Sequence, residues 1–131
     1  LLEGAEEVVR ALHGRVGMLI ITNGLADVQR PRVDGCAIRD YIADMVISEE
    51  VAAAKPDPAI FDVAFVRMGW PDRARVLMVG DSLTSDIAGA AAYGIDACWY
   101  NPAGKERPAG LEIRYEIRRL DELLGIVGLA E

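Results

Sequence analysis

Four short apolar runs constrain this chain more than any other feature: Val16 to Ile21, Met45-Val46-Ile47, Val76 to Val79 and Ala97-Cys98-Trp99-Tyr100. Each is too short for an ordinary helix, and apolar residues at consecutive positions need burial on both faces of a strand. Helical patterns lie between them. Ala5, Val8, Val9 and Leu12 fall at i, i+3, i+4 and i+7, with Gly14 as a stop. A more polar helical stretch runs from Leu25 to Val33, and Pro31 inside it predicts a break or kink, because proline lacks the backbone donor and crowds the preceding turn. Asp57 suits an N-cap and Pro58 the first helical position, ahead of an apolar face made of Ile60, Phe61, Ala64, Phe65 and Met68. Ile87, Ala90 and Ala91 mark another helix, closed by Gly94. Residues 101–110 read as loop, Tyr115 to Ile117 as a last strand and Asp121 to Val127 as a terminal helix. Buried strands alternating with helices predict an α/β fold with a parallel sheet covered on both sides. Ligands in such sheets lie at the carboxyl ends of the strands.

At 131 residues the chain is sized for one domain, with no internal repeat or linker. Hydrophobic residues make up 52% and charged residues 27%, a balance that argues against disorder. The net charge of −7 disfavours nucleic-acid binding and gives no attraction to an anionic membrane. No apolar run approaches the roughly 18 residues of a membrane span. The residues Leu1 to Glu7 lack the basic start of a secretory signal. Cys36 and Cys98 form no CxxC pair, which fits a reduced, cytoplasmic protein. His13 is the single histidine, so a His-rich metal site is excluded.

Two strand ends and the loop carrying Lys55 hold residues that could do chemistry. Gly80-Asp81-Ser82-Leu83-Thr84-Ser85-Asp86 places one carboxylate at a strand end and a second five residues later. Two converging carboxylates suit a hard cation such as Mg²⁺, which takes oxygen ligands and keeps several waters. The same residues also read as a plain strand–turn–helix junction, with Thr84 or Ser85 as N-cap and Asp86 favouring the helix dipole. Thr22-Asn23-Gly24 offers a hydroxyl, an amide and backbone N–H groups that can hold an anion, or it is a turn that these residues favour anyway. Lys55 precedes Pro56, which predicts an extended backbone. Its ammonium would neutralise a phosphoryl group if aimed at the same mouth; a lone surface lysine is the alternative.

The order of these motifs resembles the haloacid-dehalogenase-like (HAD) phosphohydrolase superfamily. The likeness is carried by Leu19-Ile20-Ile21-Thr22-Asn23-Gly24, by Ala54-Lys55-Pro56-Asp57 with Ile60-Phe61, and by Val79-Gly80-Asp81-Ser82 with Asp86-Ile87-Ala88-Gly89-Ala90. It continues through Gly94 and Cys98 to Asn101, and within the superfamily it is nearest to pyrimidine-type nucleoside monophosphate phosphatases. The resemblance implies a three-layer α/β/α Rossmann-like core and an Mg²⁺-dependent hydrolase of phosphate monoesters. It implies that Thr22, with the Asn23 backbone and Gly24, binds the phosphoryl group. Lys55 would balance charge, while Asp81 binds Mg²⁺ directly and Asp86 directly or through water. The substrate would be a small phosphorylated metabolite, a nucleoside 5′-monophosphate in the first instance. The acidic pair argues against the dehalogenase branch, which uses no metal. Pro31 and Gly35 depart from the family's more regular helix.

The superfamily's first motif is Asp-x-Asp, whose first Asp forms an aspartyl-phosphate and whose second acts as general acid/base. No Asp-x-Asp occurs in this sequence, which also opens at Leu1 rather than Met. Residues 1–131 are therefore expected to be the C-terminal part of one HAD-like core, without the first strand and the helical cap, and inactive alone. The family places that strand in the middle of its sheet, so the Thr22 strand and the Asp81 strand are expected in separate pieces. Their unpaired edges would favour self-association. Two other readings fit less well. A phosphoacceptor receiver domain has the size and residue types, but its order is different, since Thr22 and Lys55 here precede Asp81. A non-catalytic phosphate- or partner-binding remnant explains the missing nucleophile but not the four remaining site residues.

Overall fold

The computed structural model describes residues 4–128. In chain order the main elements are α1 (Ala5–Leu12), β1 (Leu19–Thr22), α2 (Ala26–Asp34), β2 (Asp44–Ile47), α3 (Ser48–Val51), α4 (Pro58–Arg67), β3 (Leu77–Gly80), α5 (Ala88–Tyr93), β4 (Asp96–Tyr100), β5 (Tyr115–Ile117) and α6 (Glu122–Ile126). Every strand pair is parallel, with Leu19 opposite Asp44, Leu77 opposite Asp96 and Cys98 opposite Tyr115. The strands fall into two sheets, β1-β2 and β3-β4-β5. Among the described residues β1 pairs only with β2, and β3 only with β4. The expected separation of the Thr22 strand from the Asp81 strand is therefore present.

Alternation along the strands builds a core on each face. In β4, Ala97 and Trp99 point to one apolar cluster while Cys98 joins another. In β3, Met78 joins the first, and Leu77 and Val79 the second. The first cluster contains Phe61 and Phe65 of α4 with Ala90 and Tyr93 of α5, and it also receives Leu19, Ile21 and Val46 from the other sheet. The second takes Val8 and Leu12 of α1 and Leu123 of α6. Helices thus cover both faces, which explains strands that are apolar at every position. The shared first cluster couples the two sheets where backbone hydrogen bonds do not.

Several sequence expectations are met locally. The Asp57 carboxylate accepts from the Ala59 N–H at 2.9 Å, and Pro58 opens α4. Gly94 closes α5 in the left-handed conformation. Three expectations need correction. α2 runs through Pro31 to Asp34 without breaking. The donor that Pro31 lacks would have served the Asp27 carbonyl, and α2 buries no residue, so water can take that place. Met68 follows the last residue of α4 and is 36% exposed, so it does not belong to the buried face. The residue capping the turn after β3 is Ser82, not Thr84 or Ser85: its hydroxyl accepts from the Ser85 N–H at 3.2 Å.

Candidate functional site

Thr22 ends β1 and is half-buried, and the backbone then turns at Asn23 and Gly24. Gly24 has φ +150, a region that side-chain-bearing residues rarely adopt. Ser48, the first residue of α3, grips this glycine from both sides. Its Oγ accepts from the Gly24 N–H at 2.8 Å and donates to the Gly24 carbonyl at 3.2 Å. Next to it, Glu49 Oε1 accepts from the Ala26 N–H at 2.8 Å, filling an otherwise open donor at the start of α2. Glu50 pairs with Arg30 of α2 through both carboxylate oxygens, at 2.6 and 2.5 Å. Arg30 holds the Glu50 carboxyl below its ordinary pKa by hydrogen bonding.

Lys55 lies on the loop before α4, and its bond to Pro56 is cis. The side chain of Asn23 bridges to its backbone: Oδ1 accepts from the Lys55 N–H at 2.8 Å, and Nδ2 donates to the Lys55 carbonyl at 3.1 Å. The Lys55 ammonium reaches Asp86 Oδ1 at 2.5 Å. Their side chains are 10% and 8% exposed, so the pair is nearly sealed from water. A buried pair of this kind persists only if its other lone pairs are engaged. The second Asp86 oxygen accepts from the Ser82 N–H at 3.2 Å.

Close approach explains the glycine that precedes Asp81. A Cβ on Gly80 would lie 2.6 Å from Asp86 Cβ, closer than real side chains come. The turn from Ser82 to Ile87 is wound more loosely than an α-helix, with the Ile87 N–H reaching the Ser82 carbonyl at 3.1 Å. It folds Asp86 back against the end of β3. Asp81 is exposed at that strand end. Its carbonyl accepts from the Trp99 indole N–H at 3.2 Å, and Trp99 is fully buried in β4.

Thr22-Asn23, Lys55 and Asp86 are thus joined in one chain of contacts that crosses from one sheet to the other, and Asp81 stands five residues before Asp86. Among the described residues no group of three or more His, Cys, Asp or Glu converges to hold a metal ion. The donors present fit a cation held by one or two carboxylates and otherwise by water, as Mg²⁺ commonly is. Ser48 and Glu49 escaped the sequence reading, which named Trp99 only as part of a buried strand. The rule that pointed to strand ends also covers Ser48, which directly follows β2.

Comparison with known proteins identifies the family. A model of the haloacid dehalogenase-like hydrolase family matches residues 1–94. The pyrimidine 5′-nucleotidase YjjG of Escherichia coli is 43% identical over 122 residues, covering 93% of this chain and 54% of YjjG. The pyrimidine 5′-nucleotidase PynA of Streptococcus pneumoniae is 32% identical, covering 94% of this chain and 52% of PynA. The magnesium-bound crystal structure of YfnB from Bacillus subtilis, described as a HAD-hydrolase, superimposes with a TM-score of 0.94 at 33% identity. It covers 98% of this chain and 56% of that one. The chain spans about half the length of the curated relatives it matches. With the Rossmann-like core, the parallel strands and the family match in agreement, the chain belongs to the haloacid dehalogenase-like hydrolases.

Proposed function

We propose that this chain is the C-terminal portion of the core of a phosphate monoester hydrolase that depends on Mg²⁺. The whole protein acts on small phosphorylated metabolites, nucleoside 5′-monophosphates first among them. One observation carries the reading: Asn23 beside the Thr22 hydroxyl, the Lys55 ammonium and the Asp86 carboxylate are linked by hydrogen bonds and an ion pair across the ends of parallel strands, with Asp81 at the end of β3. The 43% identity to a pyrimidine 5′-nucleotidase supports the substrate class.

Phosphoryl transfer needs positioning and charge neutralisation more than covalent work by the protein. Thr22 donates its hydroxyl to a phosphoryl oxygen and the Asn23 N–H orients the same group, whereas the Gly24 N–H is engaged by Ser48. Lys55 offsets the negative charge of the phosphoryl group and of the nucleophile. Asp81 and Asp86 would hold Mg²⁺, which supplies Lewis-acid stabilisation to the phosphoryl oxygens when bound. The aspartate that forms the aspartyl-phosphate is not in this sequence, so the chain alone turns over nothing. The first strand belongs between β1 and β3, and the edges left without it promote self-association. We place the protein in the cytoplasm; no helix among the described residues is long and apolar enough to cross a membrane.

The test is phosphate release from a panel of nucleoside monophosphates, sugar phosphates and a 2-haloacid control. It is run on the chain and on the longer polypeptide carrying the upstream Asp-x-Asp segment. Mg²⁺-dependent release by the longer form alone, greatest with pyrimidine nucleotides, is expected. Faster cleavage of sugar phosphates removes the nucleotidase assignment. Sustained turnover by the 131-residue chain removes the assignment of the nucleophile.

A further inference from the structure

The Lys55 ammonium is fixed at its tip by Asp86. That contact does not fix the other end of a long side chain with four rotatable bonds. The backbone of Lys55 is held instead by a single side chain, Asn23, whose carboxamide meets both the Lys55 N–H at 2.8 Å and the Lys55 carbonyl at 3.1 Å. Asn23 follows Thr22 directly in the chain. One residue therefore joins the hydroxyl-bearing strand end to the lysine-bearing loop 32 positions away.

The residue type matters. Only a carboxamide offers a donor and an acceptor side by side in the geometry of a backbone peptide group; a carboxylate accepts only, and an apolar side chain does neither. Asn23 is exposed, so it is not there to fill a core. Its two bonds replace contacts that water could supply equally well, and what water cannot supply is a fixed distance between Thr22 and Lys55. We infer that Asn23 is a positioning residue: its side chain sets the place of Lys55 relative to Thr22, besides any contact its backbone makes with an anion. This rests on the phosphatase reading only for the purpose of the placement, not for the placement itself.

The sequence provides an internal control, because Lys55 and Lys105 are its only lysines and Lys105 is exposed. Competitive acylation with acetic anhydride, read by mass spectrometry, compares the two amines in one molecule. Alkylation of the fully buried Cys98 reports any general opening. In the unsubstituted chain Lys55 should react more slowly than Lys105. Asn23→Ala should raise Lys55 acylation about fivefold, the factor that corresponds to roughly 1 kcal/mol for a lost hydrogen-bonding partner, with Cys98 alkylation unchanged. Exchange of the Lys55 amide proton should accelerate in parallel. Asn23→Asp, which keeps the acceptor and loses the donor, should preserve that amide's protection better than Asn23→Ala does. Equal labelling of the two lysines in the unsubstituted chain overturns the inference. So does an unchanged Lys55 in Asn23→Ala, or a rise shared by Cys98, which would mark Asn23 as merely structural. A separate arm adds inorganic phosphate to the unsubstituted chain. Failure to shield Lys55 there counts against the phosphatase reading and leaves the result with Asn23 standing.

Discussion

In the half built on β1 and β2, the loop at the strand ends is held by polar side chains that reach backbone groups. Ser48 grips Gly24, Glu49 serves the start of α2, and Asn23 bridges to Lys55. α2 itself buries nothing. In the half built on β3, β4 and β5, the corresponding residues are held by packing. Ile87 and Ala90 are completely buried, Trp99 is 1% exposed, and Gly80 and Asp86 are in contact tight enough to exclude a Cβ. Both halves place residues at strand ends, but the first does so with contacts that compete with water and the second with apolar burial around a nearly sealed carboxylate. Hydrogen bonds of the first kind contribute about 1 kcal/mol each, whereas a buried aromatic contributes several. Substitutions should therefore act very unequally on the two sides.

The largest effect is expected at Trp99. Trp99→Ala removes the largest fully buried side chain and also the indole that donates to the Asp81 carbonyl. A loss of about 3–5 kcal/mol is expected from the cavity and the lost contacts. Urea unfolding followed by circular dichroism measures it; a loss below about 1 kcal/mol would mean that this half is not packed as described. Gly80→Ala comes next, because its Cβ must push Asp86 away from Ser82 and Lys55. Overpacking of this kind costs about 1–3 kcal/mol, and Lys55 should become easier to acylate.

An alkaline titration sharpens the same contrast, since both groups concerned lie in the packed half. Burial pushes the Cys98 thiol from 9.0 up to about 11. Burial and the hydrogen bond to Asp62 push the Tyr93 hydroxyl from 10.0 up to about 12. Between the unfolded and folded values the unfolded chain has released a proton that the folded chain keeps. The folded state then binds more protons, so stability falls as pH rises. The decline should begin near pH 9 with Cys98 and continue toward pH 12 with Tyr93. For Cys98 alone it should amount to roughly 2 kcal/mol. Cys98→Ala should delay the onset by about one pH unit, to the point where Tyr93 begins to titrate in the unfolded chain. Thermal unfolding at pH 8, 9, 10 and 11 decides it, and a flat profile would contradict the burial of both groups.

The packed half was also the more legible in the sequence. Val76 to Val79 and Ala97 to Tyr100 announce buried strands because every position meets a core on one face or the other. Asp57-Pro58 announces α4, which packs against both halves, because cap chemistry is local. Tyr115 to Ile117 fell where the strand forms. Lys55 and Asp86 were both named as site residues, although no spacing shows that they meet. The polar half left weaker traces. α3 has four residues, too few for any periodicity to emerge. The partner of Ser48 is a glycine 24 positions away, and a side-chain bond to a distant backbone group writes no pattern in the neighbouring residues. Pro31 misled for a related reason. The rule against proline in a helix supposes a carbonyl that must find an internal partner, and α2 buries none of its residues. The cap after β3 was misplaced by a few residues because the turn there closes over five residues rather than four.

Ser48→Ala is the smallest and most discriminating substitution. It removes one hydroxyl and two hydrogen bonds to Gly24, and it leaves the apolar core untouched. The Gly24 N–H and carbonyl can turn to water, so the cost should stay near 1 kcal/mol, well short of what Trp99→Ala incurs. Local consequences should exceed the global one. The Gly24 and Ala26 amides should exchange faster, because α3 then holds the loop through Glu49 alone, while the amides of β4 keep their protection. Amide exchange measured residue by residue separates the two outcomes. If the β4 amides accelerated together with Gly24, the halves would open as one unit and the division between polar and packed anchoring would collapse. If Gly24 alone responded, the half carrying Thr22 would be the softer of the two, able to adjust to a phosphoryl group while the half carrying Asp81 and Asp86 stays fixed.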